Sequence, residues 1–193
     1  MLDRLQNAIC QRDTVTFGTL ILCLDDANDV DRMRLLHTCA AFGYVQGVIF
    51  LLEMGADVAM QDSDGSSPLH FACNNAEVEV IQLLLRAAEQ QLGPVATCLT
   101  LHHQEATTID RTELVSVVDA VNLRGETALH FACTREHNIE YKERHGVRRP
   151  RLPMEAAQEV VRMLLDAHAD ERALSIDEWS PLDIAKATIS PGL

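Results

Sequence analysis

The sequence predicts an all-α solenoid made of stacked helix-turn-helix units with short turns between them. Two apolar stripes at helical spacing, Leu69–Cys73 and Val80–Leu85, lie on either side of a pair of asparagines, and Ser67 and Pro68 precede the first stripe. A hydroxyl at the N-cap followed by proline at the first helical position is a helix start. Two short amphipathic helices cannot bury their apolar faces alone, so we expect copies of the pair alongside them.

Copies of this pair recur along the chain. Leu36-His37 recurs as Leu69-His70, residues 127–133 repeat Leu69–Cys73 with five identities, and residues 180–185 repeat the start once more. The chain therefore resembles the ankyrin repeat family, which combines a period of roughly 33 residues with Thr-Pro-Leu-His-x-Ala and a later Leu-Leu-x-x-Gly-Ala-Asp. The spacing of Leu36 and Leu69 equals this period. The resemblance implies a solenoid with short turn fingers, one degenerate repeat and one insertion between two helices.

The resemblance covers most of the chain and implies a single domain over residues 1–193. The predicted units are a shortened N-terminal capping repeat at 2–30, repeats at 31–63 and 64–92, a degenerate repeat or an insertion at 93–120, a repeat at 121–172 with an insertion at 136–155, and a truncated C-terminal repeat at 173–193. The interval 93–120 has two interpretations because the spacing from Leu69 to Leu129 is nearly twice the period. Leu101 lies close to the expected register, and this favours the degenerate repeat.

The overall charge excludes some classes of partner. A net charge of −13 opposes nucleic-acid binding, which needs a basic surface for the phosphates. The insertion at 136–155 is the exception in this acidic chain, because it concentrates lysine and arginine. It is either a solvated loop or a contact for an acidic protein surface, with an anionic lipid or nucleic acid as a weaker alternative.

The cysteines and the apolar runs indicate an intracellular chain. Six cysteines are scattered singly, and three of them lie on first-helix stripes where cysteine acts as a compact apolar residue. We expect all six to be reduced and the chain to be cytoplasmic, with a cytoskeletal or nuclear location as the alternative. The N-terminal residues lack the apolar run of a signal peptide, and no run is long enough for membrane insertion.

The sequence carries no catalytic or cofactor signature. His37, His70 and His130 share one repeat position, where the resemblance implies a hydrogen bond to the turn backbone. His102 and His103 with a nearby glutamate lack a third ligand at suitable spacing for a metal. We therefore expect no enzyme activity, no cofactor and no metal.

These observations predict a non-enzymatic module for protein–protein interaction, an adaptor or scaffold. The partner would contact the concave face, the turn fingers and the basic insertion. The candidate residues are Met60, Gln61, Asp62, Asp64, Leu123, Arg124, Glu126, Trp179, Tyr141, Lys142, Arg144, Arg148, Arg149 and Arg151. The alternative is a permanent structural or assembly subunit of a large intracellular complex, for example a cytoskeletal one.

The C-terminal end of the stack is a further predicted contact. The last repeat supplies a first helix from Pro181 but no second helix. In a solenoid each helix pair buries its neighbour, so residues 160–165 in the preceding second helix are expected to have less cover than their inner counterparts. We expect a partner to cover this end, with the basic insertion folding back or a self-dimer as the alternatives.

Overall fold

The computed structural model describes residues 2–22, 29–91, 117–134 and 154–189, and the regular secondary structure within them is helical. The helices are α1 Leu2–Gln11, α2 Thr14–Leu22, α3 Asp29–Phe42, α4 Val45–Glu53, α5 Pro68–Asn74, α6 Val78–Gln91, α7 Ala128–Cys133, α8 Met154–Asp166 and α9 Pro181–Ile189.

The helices form two rows, and each helix packs on its counterpart in the next repeat. In the row of first helices, α1 packs on α3, α3 on α5, α5 on α7, and α7 on α9. In the row of second helices, α2 packs on α4, α4 on α6, and α6 on α8. This arrangement confirms the prediction of an all-α solenoid.

Small side chains allow the first helices to approach one another closely. Leu69, Ala72 and Cys73 of α5 are buried, and in α7 their counterpart Leu129 is buried while Ala132 and Cys133 are half-buried. Each short helix buries a narrow stripe on both neighbours at once. The row is therefore held together by burial across repeats more than by the intrinsic stability of helices this short.

The repeat at 64–92 stacks directly on the repeat that contains α7. α5 contacts α7 and α6 contacts α8, and the Leu123 N–H donates a 2.9 Å hydrogen bond to the Asp64 carbonyl. A repeat placed between them would separate all three pairs. We therefore propose that the interval 93–120 is an insertion and not the degenerate repeat that the sequence favours; residues 92–116 lie outside the described part.

The second helix before this insertion is unusually long. α6 has 14 residues whereas α4 has nine, and its last residue reaches the turn that closes α4. Gln91 Nε2 donates to the Ala56 carbonyl at 2.7 Å, and Gln91 Oε1 accepts from the Val58 N–H at 3.1 Å. The extension of α6 thus fixes the base of the turn that follows α4.

The C-terminal repeats differ from the sequence prediction in two details. α8 begins at Met154, so the insertion expected at 136–155 ends two residues earlier, and residues 135–153 lie outside the described part. Val160 and Leu164 were expected to be poorly covered but are fully buried, because α8 packs on both α6 and α7. The exposed large apolar side chains described at this end are Leu165 of α8, at 41%, as expected for this segment, and Leu182 of α9, at 42%.

The cysteines that the structure describes are thiols and not disulfides. Cys10 is exposed, whereas Cys39 and Cys73 are buried in the row of first helices. Burial raises the pKa of both buried thiols, and it raises the pKa of Cys133 to about 11. These three thiols are therefore protonated at neutral pH and unreactive, which suits a packing role.

Candidate protein-interaction surface

Three turns of the same design project between the repeats, and we call them the first, second and third fingers. They comprise residues 61–66, 121–126 and 174–179. In each finger the N–H of the second residue donates to the carbonyl of the sixth, at 3.0 Å in all three cases. The N–H of the fifth residue donates back to the carbonyl of the second, at 2.9–3.0 Å. The backbone of each finger is therefore a closed turn.

A polar side chain at the second position completes each finger. Asp62 Oδ1 accepts from the N–H groups of Asp64 and Ser66, at 2.9 and 2.8 Å. Asn122 makes the same pair of hydrogen bonds in the second finger. In the third finger Ser175 Oγ accepts a single, longer bond of 3.3 Å from the Trp179 N–H. Asp62, a predicted partner contact, thus uses its carboxylate within its own finger.

Neighbouring fingers are joined by backbone hydrogen bonds. The Leu123 N–H donates to the Asp64 carbonyl at 2.9 Å, and the Ile176 N–H donates to the Arg124 carbonyl at 2.8 Å. Each bond runs from the third residue of one finger to the fourth residue of the finger before it. The three fingers therefore form one continuous surface with a fixed spacing.

Each finger is hydrogen-bonded to a buried histidine on the first helix of the preceding repeat. His70 Nδ1 accepts from the N–H and hydroxyl of Ser67, at 3.1 and 2.8 Å, and Nε2 lies 3.1 Å from the Glu126 carbonyl. This geometry requires the neutral tautomer with its proton on Nε2, which donates to the carbonyl. Burial lowers the pKa of His70, more than the hydrogen bond to Glu126 and the nearby carboxylates raise it, and so favours this neutral form.

The same attachment recurs along the stack. His130 Nδ1 accepts from Thr127, and its Nε2 lies 3.0 Å from the Trp179 carbonyl of the third finger. His37 Nε2 lies 3.0 Å from the Ser66 carbonyl of the first finger. The hydrogen bonds that the family resemblance implied for these three histidines are therefore confirmed.

The fifth position of each finger has a left-handed backbone. Gly65 and Gly125 adopt φ values of 74° and 70°, which glycine tolerates without strain. Glu178 occupies the same position in the third finger with φ of 61°. A side chain in this region costs roughly 1–2 kcal/mol, so the third finger carries backbone strain that the other two lack.

The first and third residues of the second and third fingers are apolar and exposed. Val121 and Leu123 are 50% and 70% exposed, and Leu174 and Ile176, at the equivalent positions, are 62% and 71% exposed. The first finger has the exposed polar residues Gln61 and Ser63 at these positions. We call the four residues Val121, Leu123, Leu174 and Ile176 the apolar finger patch.

The other predicted contact residues occupy varied environments. Trp179 is 48% exposed and Asp64 and Arg124 are exposed, whereas Met60 is half-buried. Gln61 Nε2 donates to the Val121 carbonyl, and Glu126 Oε2 accepts from Asn122, so both help to hold the fingers. The predicted contacts in the basic insertion lie outside the described residues: Tyr141, Lys142, Arg144, Arg148, Arg149 and Arg151.

Sequence reasoning missed three of the four residues in the apolar finger patch. The spacings that separate Val121 and Leu174 from Gln61, and Ile176 from Ser63, are not multiples of the repeat period, so a search at that period does not align them. Alignment of the fingers on their own second residues would have placed them in columns. The pattern is present in the sequence, but extra residues between the repeats shift it out of the regular period.

Metal-binding side chains and surface grooves are the other features that could form a site. Within residues 2–22, 29–91, 117–134 and 154–189, no group of three or more metal-binding side chains is placed to hold an ion. An open groove runs between α4 and α6, lined by Ile49, Leu52, Glu53, Leu83, Arg86, Ala87, Gln90 and Gln91. It is formed by the second helices, on elements other than the fingers.

The repeats, the buried histidines and the row of fingers define a solenoid repeat protein with an extended surface. The family model for ankyrin repeats in three copies matches residues 5–94. The chain contains ankyrin repeats. Proteins of this family generally mediate protein–protein interaction, and the fold is a non-catalytic one.

Similar curated proteins match between 38% and 53% of this chain. Rabankyrin-5 of Mus musculus is 31% identical over 110 residues, which cover 53% of this chain and 9% of that protein. Protein fem-1 homolog C of Homo sapiens is 31% identical over 103 residues, covering 52% and 16%. The transient receptor potential channel pyrexia of Drosophila melanogaster is 36% identical over 74 residues, covering 38% and 8%.

The matched stretch is thus a small part, under a fifth, of each of these relatives. In the part of this chain that the structure describes, no helix combines the length and the apolar character needed to cross a bilayer.

Proposed function

We propose that the chain is a non-enzymatic adaptor that binds a partner protein through its second and third fingers and the adjoining first helices. The apolar finger patch carries this proposal. Apolar side chains that lie together on an exposed surface mark interaction sites more often than chance. Here they stand on a hydrogen-bonded backbone that needs little further ordering, so little conformational entropy is lost on binding.

The distribution of exposed apolar side chains supports the fingers over other surfaces. Of the eight large apolar side chains that are exposed among the described residues, five lie on the second and third fingers and a sixth is Leu182 of the adjacent α9. Val15 and Leu165 lie elsewhere and singly. Isolated exposed apolar residues need no functional explanation, whereas a concentration at one end of a finger row does.

The size of the patch indicates a moderate affinity. Its four side chains are half to three-quarters exposed, so their burial would contribute on the order of 1 kcal/mol each. Trp179, a residue type favoured at binding hot spots, extends the same surface. Association loses translational and rotational freedom, which offsets much of this gain. The expected complex is therefore one that forms and dissociates, as an adaptor requires.

The test is a direct titration of a purified partner. The tagged full chain captures partners from cell extract, and the identified partner is then produced and titrated against purified variants. We expect Leu123→Ser combined with Ile176→Ser to weaken binding by about tenfold or more, since two buried contacts are lost. Val15→Ser is the matched control, because Val15 is 75% exposed on α2 and distant from the fingers in the stack.

The outcomes separate the possibilities. Equal affinity of the double variant and the wild type would refute a finger contact. Binding unchanged by Val15→Ser, with an unchanged melting temperature in all variants, would show that the loss is local. A constant high-mass peak of the native protein in size-exclusion chromatography would indicate a permanent subunit instead of an adaptor.

The basic insertion is proposed as a second contact, for an acidic surface of the partner. The support comes from the sequence, where Arg148, Arg149 and Arg151 interrupt an otherwise acidic chain. Changing these three residues to glutamate should weaken binding and leave the melting temperature nearly unchanged. A large loss of stability would show that the insertion packs on the repeats.

The thiols of the described cysteines support an intracellular location for this function.

A further inference from the structure

The apolar finger patch is continuous across two fingers. The Ile176 N–H donates to the Arg124 carbonyl, and Gly125 packs so closely on the third finger that an added Cβ would lie 3.2 Å from the Ile176 nitrogen. Leu123 and Ile176 are equivalent residues of fingers in direct backbone contact. A single segment of a partner can therefore cover all four side chains.

Acidic side chains outnumber basic ones on the three fingers and their bases. Residues 57–66, 119–126 and 170–178 form the fingers with their bases, and they carry nine acidic and two basic side chains. One of the two basic residues, Arg172, already lies 3.9 Å from Glu171. Charge of one sign around an apolar contact attracts segments of the opposite sign and repels those of the same sign.

Glu178 adds one of these carboxylates at the expense of backbone strain. It holds φ of 61° at a position where the other two fingers have glycine. It follows Ile176 by two residues and is exposed, with no burial that would explain its presence. Strained residues that the fold itself does not require are found preferentially at functional sites. A carboxylate that faces a partner gives the residue a role.

Building on the proposed function, we infer that the partner segment is basic and amphipathic, with apolar side chains interspersed with lysine or arginine. The apolar side chains cover Val121, Leu123, Leu174 and Ile176. The cationic side chains lie against the surrounding carboxylates, among them Asp177 and Glu178. A neutral or acidic apolar segment would meet the same patch but would gain nothing from, or be repelled by, its rim.

A panel of synthetic peptides tests the chemistry of the segment. Three peptides carry the same spaced leucines, with lysine, glutamine or glutamate between them, and are titrated against the full chain by fluorescence anisotropy. We expect the lysine peptide to bind about tenfold more tightly than the glutamine peptide, and the glutamate peptide not to bind. Raising the salt from about 0.1 M to about 1 M, which shortens the screening length from about 10 Å to about 3 Å, should remove most of this difference.

Variants of the chain show where the peptide binds. Leu123→Ser with Ile176→Ser should abolish binding of the lysine peptide. Glu178→Gly should weaken its binding severalfold and yet raise the melting temperature, because it removes both a carboxylate and backbone strain. His168→Gly is the matched control, since His168 is also left-handed, with φ of 66°, but follows α8 and lies outside the third finger. It should raise the melting temperature without changing the affinity.

Several outcomes would overturn the inference. These are equal affinity for the three peptides, no binding by any of them, or lysine-peptide binding that survives Leu123→Ser with Ile176→Ser. A chain that dimerises, and becomes monomeric with the same double variant, would show that the occupant is a second copy. The proposed function fails separately, since it requires that the captured full-length partner lose affinity for the double variant whatever the charge of its segment.

Discussion

The first and third fingers share one hydrogen-bonded backbone but present different surfaces. In the first finger, Asp62 caps two N–H groups, Gly65 supplies the left-handed residue, and the exposed side chains are polar. In the third finger, Ser175 makes one longer bond, Glu178 takes the glycine position, and the exposed first and third residues are leucine and isoleucine. The first finger follows the rules of a stable turn at every position, whereas the third departs from them three times.

This difference separates the demands of the fold from those of binding. The backbone bonds and the histidine attachments are kept in all the fingers, because every repeat needs them to stack. The exposed side chains are unconstrained by stacking and are free to differ. The departures in the third finger coincide with the apolar finger patch, and the second finger has the patch with an optimal backbone. Strain and binding are therefore separable by mutation.

Removing a histidine attachment is expected to have the largest effect on stability. His70→Ala removes three hydrogen bonds and leaves the buried Ser67 N–H unpaired, while the Glu126 carbonyl keeps the Asn122 N–H; the loss should cost about 3 kcal/mol. His130→Ala removes an equivalent set of hydrogen bonds but should cost less, because it releases only the third finger, whereas release of the second finger also loosens the third, which is bonded to it. Urea unfolding followed by circular dichroism measures both. Equal losses would mean that the fingers are not held in series.

A smaller loss is expected where two fingers touch. Gly125→Ala combines a left-handed φ of 70° with a Cβ that lies 3.2–3.4 Å from backbone atoms of residues 174–176. It should cost about 2 kcal/mol or more, since the neighbouring backbone must shift. Gly55→Ala is the control, because Gly55 has φ of 83° but nothing within 4 Å of the added Cβ. If the two variants lose the same stability, the contact between the fingers is loose.

The smallest effect concerns a carboxylate at the base of the second finger. Asp119 Oδ1 accepts from the Asp170 N–H at 2.8 Å, and burial, with repulsion from Asp170, raises the pKa of Asp119. A raised pKa means that the carboxyl stabilises the fold when protonated, below about pH 4, and loses this contribution as the pH rises. Asp119→Asn keeps the acceptor and should therefore add a few tenths of a kcal/mol at pH 7, discounted for partial exposure.

The check is a melting temperature measured for both proteins across the pH range. The gain from Asp119→Asn should shrink as the pH falls through the pKa of the wild-type carboxyl. A gain in melting temperature that is constant with pH would mean that repulsion between Asp119 and Asp170 is not the cause.

The sequence predicts the stacking of this chain because the stripes of the first helices are local and recur. Leu69, Leu129 and Leu182 could be aligned by their neighbours alone. Their burial could not be predicted in this way, because Leu69 and Leu129 are buried between two repeats, whereas Leu182 lies on the last helix that the structure describes. Val160 and Leu164 show the opposite error, because contact with α6 and α7 is enough to cover them.

Only part of the candidate surface could be predicted from the sequence, because exposure depends on where a residue lies in the stack. Leu123 and Trp179 stand out in the sequence as large apolar residues in turns, and both are exposed. Val121, Leu174 and Ile176 are ordinary apolar residues whose exposure follows only from their place on a finger. That place depends on hydrogen bonds between fingers that are far apart in the sequence and do not follow its regular period.

Hydrogen exchange of the full chain, with and without its purified partner, tests most directly whether the second and third fingers form the contact while the first does not. Mass spectrometry of peptic peptides should show slowed exchange in residues 117–126 and 170–182 on binding, and unchanged exchange in residues 54–66. Slowing confined to the first finger, or to α4 and α6 along their groove, would contradict the account.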